Sequence, residues 1–326
     1  MKSFDELEVA VLVPCFNEAA AIDKVVRDFA TALPNATIYV YDNNSTDDTI
    51  AIATAAGADV RKEPRRGKGN VVRRMFQDIE ADIYVMVDGD DTYDASVAPQ
   101  LVEQLVAENL DMVVGKRIET HQAAYRMGHR LGNRVLTGLV RWLFEAKIDD
   151  MLSGYRVFSR RFVKSFPSFS REFEIETELT VHAMQMRMPV SEVDTNYKER
   201  PPGSTSKLRT FRDGWRILMT ISNLMRNERP LLFFSLIGLV FFTVAVILGL
   251  PVLLEYADTG NVRRFPTAFL CMSLTVISVL CIATGLVLDL VAHVRREAKR
   301  LVYLQHPAPR RASGTAERST AMTASQ

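Results

Sequence analysis

Residues 84–94 read Tyr84-Val85-Met86-Val87-Asp88-Gly89-Asp90-Asp91-Thr92-Tyr93-Asp94, a short apolar run that stops abruptly at a cluster of carboxylates. The apolar half has the length and composition of a buried strand, and a strand ending in acid delivers that acid to one place. Four aspartates within seven residues repel one another unless a positive charge sits among them. Hard divalent cations prefer carboxylate oxygens, so a metal site is one reading. An acidic turn capping the next helix is the other.

Upstream of this run, short β-rich segments alternate with helical patterns, the signature of an α/β sheet. Val9 to Pro14 is a buried strand ending at Cys15-Phe16-Asn17-Glu18, and Ala20 to Leu33 is helical. A second strand, Thr37 to Tyr41, ends at Asp42-Asn43-Asn44-Ser45; a helix covers Asp47 to Ala56, and Asp59 to Lys62 is a brief third strand. Arg65-Arg66-Gly67-Lys68-Gly69-Asn70 opens a helix running to about Ile79, before the fourth strand, Ile83 to Val87. In open α/β sheets, ligands sit at the carboxyl ends of strands. Those ends carry Asn17 and Glu18, Asp42 and Asn44, and Asp88 and Asp90, a set suited to a nucleotide's base and ribose on one side and its metal-bound phosphates on the other. Each has a local alternative: Asp42-Asn43-Asn44 as a turn, Ser45 or Thr46 as an N-cap. The Gly67-Lys68-Gly69 loop is a weak phosphate signal. The spacing G-x-x-x-x-G-K-[ST] is absent and no G-x-G-x-x-G follows the first strand, which argues against a P-loop ATPase or a dinucleotide dehydrogenase.

The 326 residues suffice for one large or two small domains with a proper core. With 40 basic and 39 acidic residues the net charge is +1, so no global field points to a nucleic-acid partner. Cys15, Cys271 and Cys281 all lie in apolar runs, which fits reduced thiols rather than a disulfide framework. The five histidines share no metal-ligand spacing, so zinc is not indicated. Residues 1–8 are charged and poor in apolar side chains, with no cleavable signal pattern. Leu231 to Leu254 and about Thr267 to Leu288 are uncharged, and the first would span roughly 36 Å as a helix, enough to cross a bilayer with some tilt. Ten arginines and lysines flank the outer ends (Arg212, Arg216, Arg226 and Arg229 before; Arg295, Arg296, Lys299, Arg300, Arg310 and Arg311 after), against Arg263 and Arg264 in the loop between. The bias puts both outer ends in the cytoplasm. Two further stretches, Tyr125 to Lys147 and Lys207 to Asn227, pair an apolar face with a basic one, the pattern of an interfacial helix, with a core helix as the alternative.

Together P-C-F-N-E (residues 14–18), D-N-N-S-T-D-D-T (42–49), R-G-K-G-N (66–70) and V-D-G-D-D-T-Y-D (87–94) resemble the nucleotide-sugar half of the inverting family 2 glycosyltransferases of GT-A fold. The resemblance continues through Gly115-Lys116-Arg117, Arg130-Leu131-Gly132-Asn133, the D-M-L-S-G-Y-R run of residues 150–156 and the R-P-P-G-S-T-S-K run of residues 200–207. With two C-terminal spans added, the chain is similar to polyprenyl-phosphate glycosyltransferases, the group containing dolichol-phosphate mannose synthases and their undecaprenyl relatives. It covers roughly residues 8 to 295.

The resemblance implies an α/β GT-A domain over residues 1–206, with an interfacial helix near 123–147. An amphipathic helix at 207–229 and a two-helix membrane hairpin at 230–295 follow, then a basic tail at 296–326 whose aperiodic polar end is expected to be disordered. It implies transfer of one sugar from a nucleotide-sugar, UDP-linked rather than GDP-linked, to polyprenyl (undecaprenyl) phosphate at the cytoplasmic face of the inner cell membrane. The donor would contact Pro14, Phe16, Asn17, Glu18, Asp42, Asn44, Gly67, Lys68 and Gly89. Mg2+ or Mn2+ would be held by Asp88 and Asp90, with Asp91 a candidate third ligand, and would stabilise the leaving diphosphate as a Lewis acid. A phosphate monoester acceptor is already anionic and needs cationic positioning more than a strong base; arginine's planar fork suits that role. By resemblance Arg117, Arg130 and Arg200 are the candidates, with Lys207, and Asp150 joins Asp88, Asp90, Arg117 and Arg200 in the catalytic set. Glu176 reads equally as a site carboxylate or a helix cap. Relatives imply a membrane-packed homotetramer. Two positions depart from the pattern: Asn43, where many relatives have a second acid, and Thr92, where they have Gln or Glu. The alternatives are a GDP-mannose-using enzyme, a processive polysaccharide synthase, against which Gly138 stands where Q-x-x-R-W needs Gln, and a membrane-anchored nucleotide-sugar-binding scaffold.

Overall fold

The computed structural model describes residues 7–119, 138, 148–167, 175–198, 219, 222–223 and 225–309. The chain forms two compact units, Met1–Thr210 with Lys299–Gln326, and Phe211–Ala298.

In the first unit the four expected strands are β1 (Val9–Cys15), β2 (Thr37–Asp42), β3 (Asp59–Lys62) and β4 (Ile83–Met86). They pair in parallel, β2 joining β1 to β3 and β1 joining β2 to β4. Every residue of β4 is buried, as a strand covered on both faces requires. Between them run α1 (Ile22–Ala32), α2 (Thr49–Ala55) and α3 (Lys68–Asp78). Helix α1 buries Ile22, Val25, Val26 and Phe29, the i, i+3, i+4, i+7 stripe of a core-facing helix. Each such side chain contributes roughly 1.5–3 kcal/mol by leaving water. Helix α4 (Ala98–Ala107) follows β4 and turns Leu101, Val102, Leu105 and Val106 into the same core.

The sheet then departs from a simple parallel wind. Its order among the described residues is β3-β2-β1-β4-β6-β5-β7, with β5 (Met112–Glu119), β6 (Arg156–Ser159) and β7 (Val190–Tyr197). Strand β6 is antiparallel to both neighbours, placing Arg156 opposite Met86 of β4 and Val114 of β5. Because β6 runs backwards, the loop that feeds it reaches the edge where β4 ends, two residues short of Asp88. Helices α5 (Arg160–Ser165) and α6 (Ile175–Gln185) complete the unit, α6 presenting Glu176 in its first turn.

In the second unit, α7 (Pro230–Thr259) and α8 (Phe265–Leu304) are both long and apolar enough to cross a membrane. Small buried residues recur every seven positions: Gly238 and Ala245, then Val252, on α7, and Ser278, Gly285 and Ala292 on α8. A Cβ on Gly285 would lie 3.2 Å from the Leu231 Cα, so the two backbones meet at close range. Helix α8 extends past the expected end of the span at Leu288. Residues 296–304, expected in the tail, are helical, because the charged stretch from Asp289 still carries helix-forming residues. From Lys299 they belong to the first unit, where Tyr303 donates its hydroxyl to Asp111 at 2.8 Å and Arg161 stacks over its ring.

Candidate active site

The ends of β1 and β2 are knitted together before any ligand is considered. Asn17, at φ 54°, donates its backbone N–H to the Ser45 hydroxyl (2.9 Å), and its side-chain oxygen accepts from the Thr46 N–H (2.8 Å). The Glu18 N–H reaches Thr49 Oγ1 at 3.0 Å, while Asp42, almost fully buried, accepts from the Ser45 N–H at 3.1 Å. Asn43 answers the first departure noted in the sequence. Its amide donates to the carbonyls of Glu63 (3.0 Å) and Arg65 (2.7 Å) and accepts from the Gly67 N–H (2.7 Å). A carboxylate cannot donate, so here the amide staples the 63–67 loop to β2. Asn44, at φ 66°, donates to the Pro64 carbonyl at 2.9 Å. The stapled loop ends at Gly67, whose φ of 116° lets the chain turn into α3 and place Lys68 at its start.

Lys68 is the pivot of the site. Its ammonium lies 2.5 Å from Asp88 Oδ1 and 2.5 Å from Glu176 Oε1, in a setting where Lys68 and Glu176 are nearly buried. Burial works against its charge, but the two carboxylates outweigh it and hold the lysine well above its usual range, fully protonated. Asp88 also backs onto the loop before β6. A Cβ on Gly154 would overlap Asp88 Oδ2 and lie 2.8 Å from its Cγ, so only glycine fits there. Gly89 is confined in the same way, a Cβ there falling 2.5 Å from the Cys15 sulfur. Burial pushes the Cys15 thiol up, leaving it an inert apolar spacer.

Asp90 is buried and accepts from the Thr92 hydroxyl at 2.6 Å. Thr92, the second departure, thus orients Asp90. Asp91 has φ 55° and pairs with Lys24 of α1 at 3.0 Å. Asp94 accepts from the N–H of Ser96 and caps the short turn that follows, as the capping reading of this stretch anticipates. The carboxylate run therefore divides between a buried pair facing the strand ends and a surface pair. Among the described residues no group of three His, Cys, Asp or Glu gathers as a metal site. Two carboxylates with no nitrogen or sulfur fit a hard dication that fills its remaining positions with phosphate oxygens and water.

Asp150 and Arg117 meet across the sheet edge. The guanidinium binds the carboxylate in a fork, Nε to Oδ2 at 2.7 Å and Nη2 to Oδ1 at 2.8 Å, and stacks 5.5 Å from the Tyr197 ring centroid. Burial would raise the Asp150 pKa, yet the Arg117 hydrogen bonds and charge hold it below the usual range. The loop carrying Asp150 is templated by Arg156, which is fully buried and donates to the carbonyls of Met151 and Ser153 and to Thr180. The Tyr93 hydroxyl accepts from the Gly154 N–H at 2.9 Å, tying that loop to the acidic run. Arg130, Arg200 and Lys207 lie outside the described residues, as do both amphipathic stretches apart from a few single positions.

Gly154, Arg156, Asn43 and Thr92 carry functions that spacing alone did not expose. The available signals were a glycine inside a polar loop and an arginine opening an apolar strand. Carboxylates at the ends of β1, β2 and β4, a basic loop opening α3 and a reversed β6 define a GT-A nucleotide-sugar transferase. The chain belongs to glycosyl transferase family 2: residues 10–166 match the model of that family, described as "Glycosyl transferase family 2". It is 31% identical to glycosyltransferase AglJ of Haloferax volcanii over 297 residues, covering 90% of this chain and 97% of that protein. It is 58% identical to protein RfbJ of Shigella flexneri over 128 residues, 39% of this chain and 99% of that one. Among solved structures it resembles glucosyl-3-phosphoglycerate synthase from Mycobacterium tuberculosis in complex with Mn2+, UDP-glucose and phosphoglyceric acid. There the TM-score is 0.56 at 24% identity, over 67% of this chain and 79% of that one. A Mg2+ and UDP complex of that synthase gives 0.55 at 23%, over 67% and 78%.

Proposed function

We propose that this glycosyltransferase moves one sugar, with inversion, from a UDP-sugar to polyprenyl (undecaprenyl) phosphate at the cytoplasmic face of the inner membrane. The observation that carries the reading is the presence in one chain of a GT-A site and two helices of membrane-spanning length and apolarity. A soluble acceptor needs no such anchor. AglJ matches nearly end to end, so the same organisation extends over a full-length relative.

In this reading Asp88 and Asp90 hold Mg2+ or Mn2+, which when bound stabilises charge on the departing diphosphate. Asn17, Glu18 and Asp42, with the backbone of Pro14 and Phe16, frame the base and ribose, and Lys68 faces the diphosphate. Thr92 keeps the Asp90 carboxylate in one rotamer, and Gly154 sets the depth of Asp88. Arg117, locked to Asp150, presents its remaining donors toward the acceptor phosphate, and Arg130, Arg200 and Lys207 add cationic contacts to the same group. The acceptor oxygen is already anionic, so it attacks the anomeric carbon as the bond to the diphosphate breaks, without a strong base. The outer ends of the hairpin and the catalytic unit are cytoplasmic, and the assembly is a homotetramer.

The test is the full-length protein in detergent, given undecaprenyl phosphate, Mn2+ and a panel of radiolabelled UDP- and GDP-sugars. Label from a UDP-sugar passing into the organic phase is the expected result. Label entering polymer or a soluble acceptor, with none in lipid, overturns the reading; lipid label from a GDP-sugar alone overturns the donor assignment.

A further inference from the structure

Lys68 is bound to both sides of the site, and its position sets up a competition for Asp88. Its two anchors lie 20 and 108 residues away in sequence, one on the acidic run after β4 and one on the first turn of α6. We propose that Lys68 is a resident cation at Asp88 that an incoming metal must displace, and that Glu176 is the positioning residue that retains the displaced ammonium beside the donor diphosphate. The proposal rests on the assignment of Asp88 and Asp90 to the metal.

Three observations support it. The Asp88 oxygen facing the interior of the site is engaged by an ammonium at 2.5 Å, so a dication cannot use it without bringing two cations onto one carboxylate. Asp88 cannot withdraw from the lysine toward the loop, because its other oxygen backs onto Gly154, whose N–H is fixed by Tyr93. Lys68 can move, because an ammonium on a four-carbon stem has three rotatable donors, of which two are engaged. Leaving Asp88, it keeps an ion pair with Glu176, itself 5% exposed. Without Glu176 the buried ammonium would exchange a carboxylate for nothing, and a stranded buried charge is strongly disfavoured. A diphosphate supplies the missing anionic oxygen for the lysine. Metal therefore enters together with the nucleotide, and the empty enzyme holds metal weakly.

The experiment counts free Mn2+ by electron paramagnetic resonance in solutions of the full-length protein, first with Mn2+ alone and then with UDP. The informative variant is the double substitution Lys68→Met with Glu176→Gln. It removes one positive and one negative charge, so long-range attraction for Mn2+ is unchanged and only the occupation of Asp88 differs. It is expected to bind Mn2+ alone roughly 10- to 100-fold more tightly than the wild type, the scale of one charge-assisted hydrogen bond. Glu176→Gln alone is expected to bind it more weakly, and Glu176→Asp to restore the wild-type value. A folded double variant that binds Mn2+ no more tightly than the wild type overturns the proposal. If the double variant does not fold, the single substitutions decide, and Glu176→Gln binding Mn2+ as well as the wild type overturns it. Asp88→Asn, run in parallel with UDP present, separates the two levels: unchanged Mn2+ binding there removes the metal assignment itself.

Discussion

A single methyl group placed at Gly154 isolates the geometric demand of the site. The alanine Cβ would overlap Asp88 Oδ2, 2.8 Å from Cγ and 3.1 Å from Oδ1, where ordinary contacts are longer. The loop cannot absorb the clash, because the Gly154 N–H is held by Tyr93 and the neighbouring carbonyls of Met151 and Ser153 are held by Arg156. Asp88 yields instead: its side chain is 30% exposed and can tip away by roughly 1 Å. Tipping spares the core, so the stability cost should stay near 1 kcal/mol, at the low end for an overpacked site. A displacement of that size in a reacting group costs on the order of 100-fold in rate, about 2.7 kcal/mol of transition-state stabilisation. Gly154→Ala should therefore melt close to wild type, while losing about two orders of magnitude in sugar transfer and a comparable share of Mn2+ affinity in the presence of UDP. Transfer within threefold of wild type would refute the view that Gly154 sets the position of Asp88.

Asn43→Asp should cost about 1–3 kcal/mol and raise the KM for the donor more than it lowers kcat, since a buried carboxylate would face two carbonyls and release the loop that positions Lys68; steady-state kinetics with a thermal melt reads both. His182 is packed against Phe162 and Phe166 and bonded to Ser165 at 3.1 Å, and burial pushes its pKa down to about 3. It folds neutral, so its contribution is complete above the ordinary value near 6.5 and is lost as pH falls through the window from there to about 3. Between pH 7 and pH 5 that amounts to about 2 kcal/mol, and His182→Leu should flatten the corresponding fall in melting temperature. In the hairpin, Gly285→Leu should destabilise by about 1–3 kcal/mol, because its Cβ would already touch the Leu231 backbone and Phe234; denaturation in detergent, against Leu286→Ala on an exposed position, measures it.

Strands β1 to β4 and their helices were legible in the sequence to within a residue or two, because the apolar runs are separated by turn residues and each ends in polar side chains. The membrane-length helices were equally plain in their uncharged cores, and only the extension of α8 beyond Leu288 was hidden, since a helix leaving an apolar setting looks like any charged segment. The second half of the sheet was not legible. Strand β7 reads V-S-E-V-D-T-N-Y with no clean alternation, and β6 is four residues long and opens on a buried arginine. No local pattern announces that β6 runs backwards, so the contact between Gly154 and Asp88 could not be foreseen. For the site, the carboxylates and the basic loop could be named one by one. Their pairing could not, because Lys68 finds Glu176 across 108 residues and Arg117 finds Asp150 across 33.

The reversed strand has a consequence for how such enzymes diversify. Since β5 leaves the sheet and β6 re-enters it at the same rim, the chain between them departs and returns beside the acidic run without altering any strand register. That interval is a cassette. It can be lengthened, shortened or exchanged while the donor-binding half stays folded, which makes acceptor choice the part of this architecture most open to grafting.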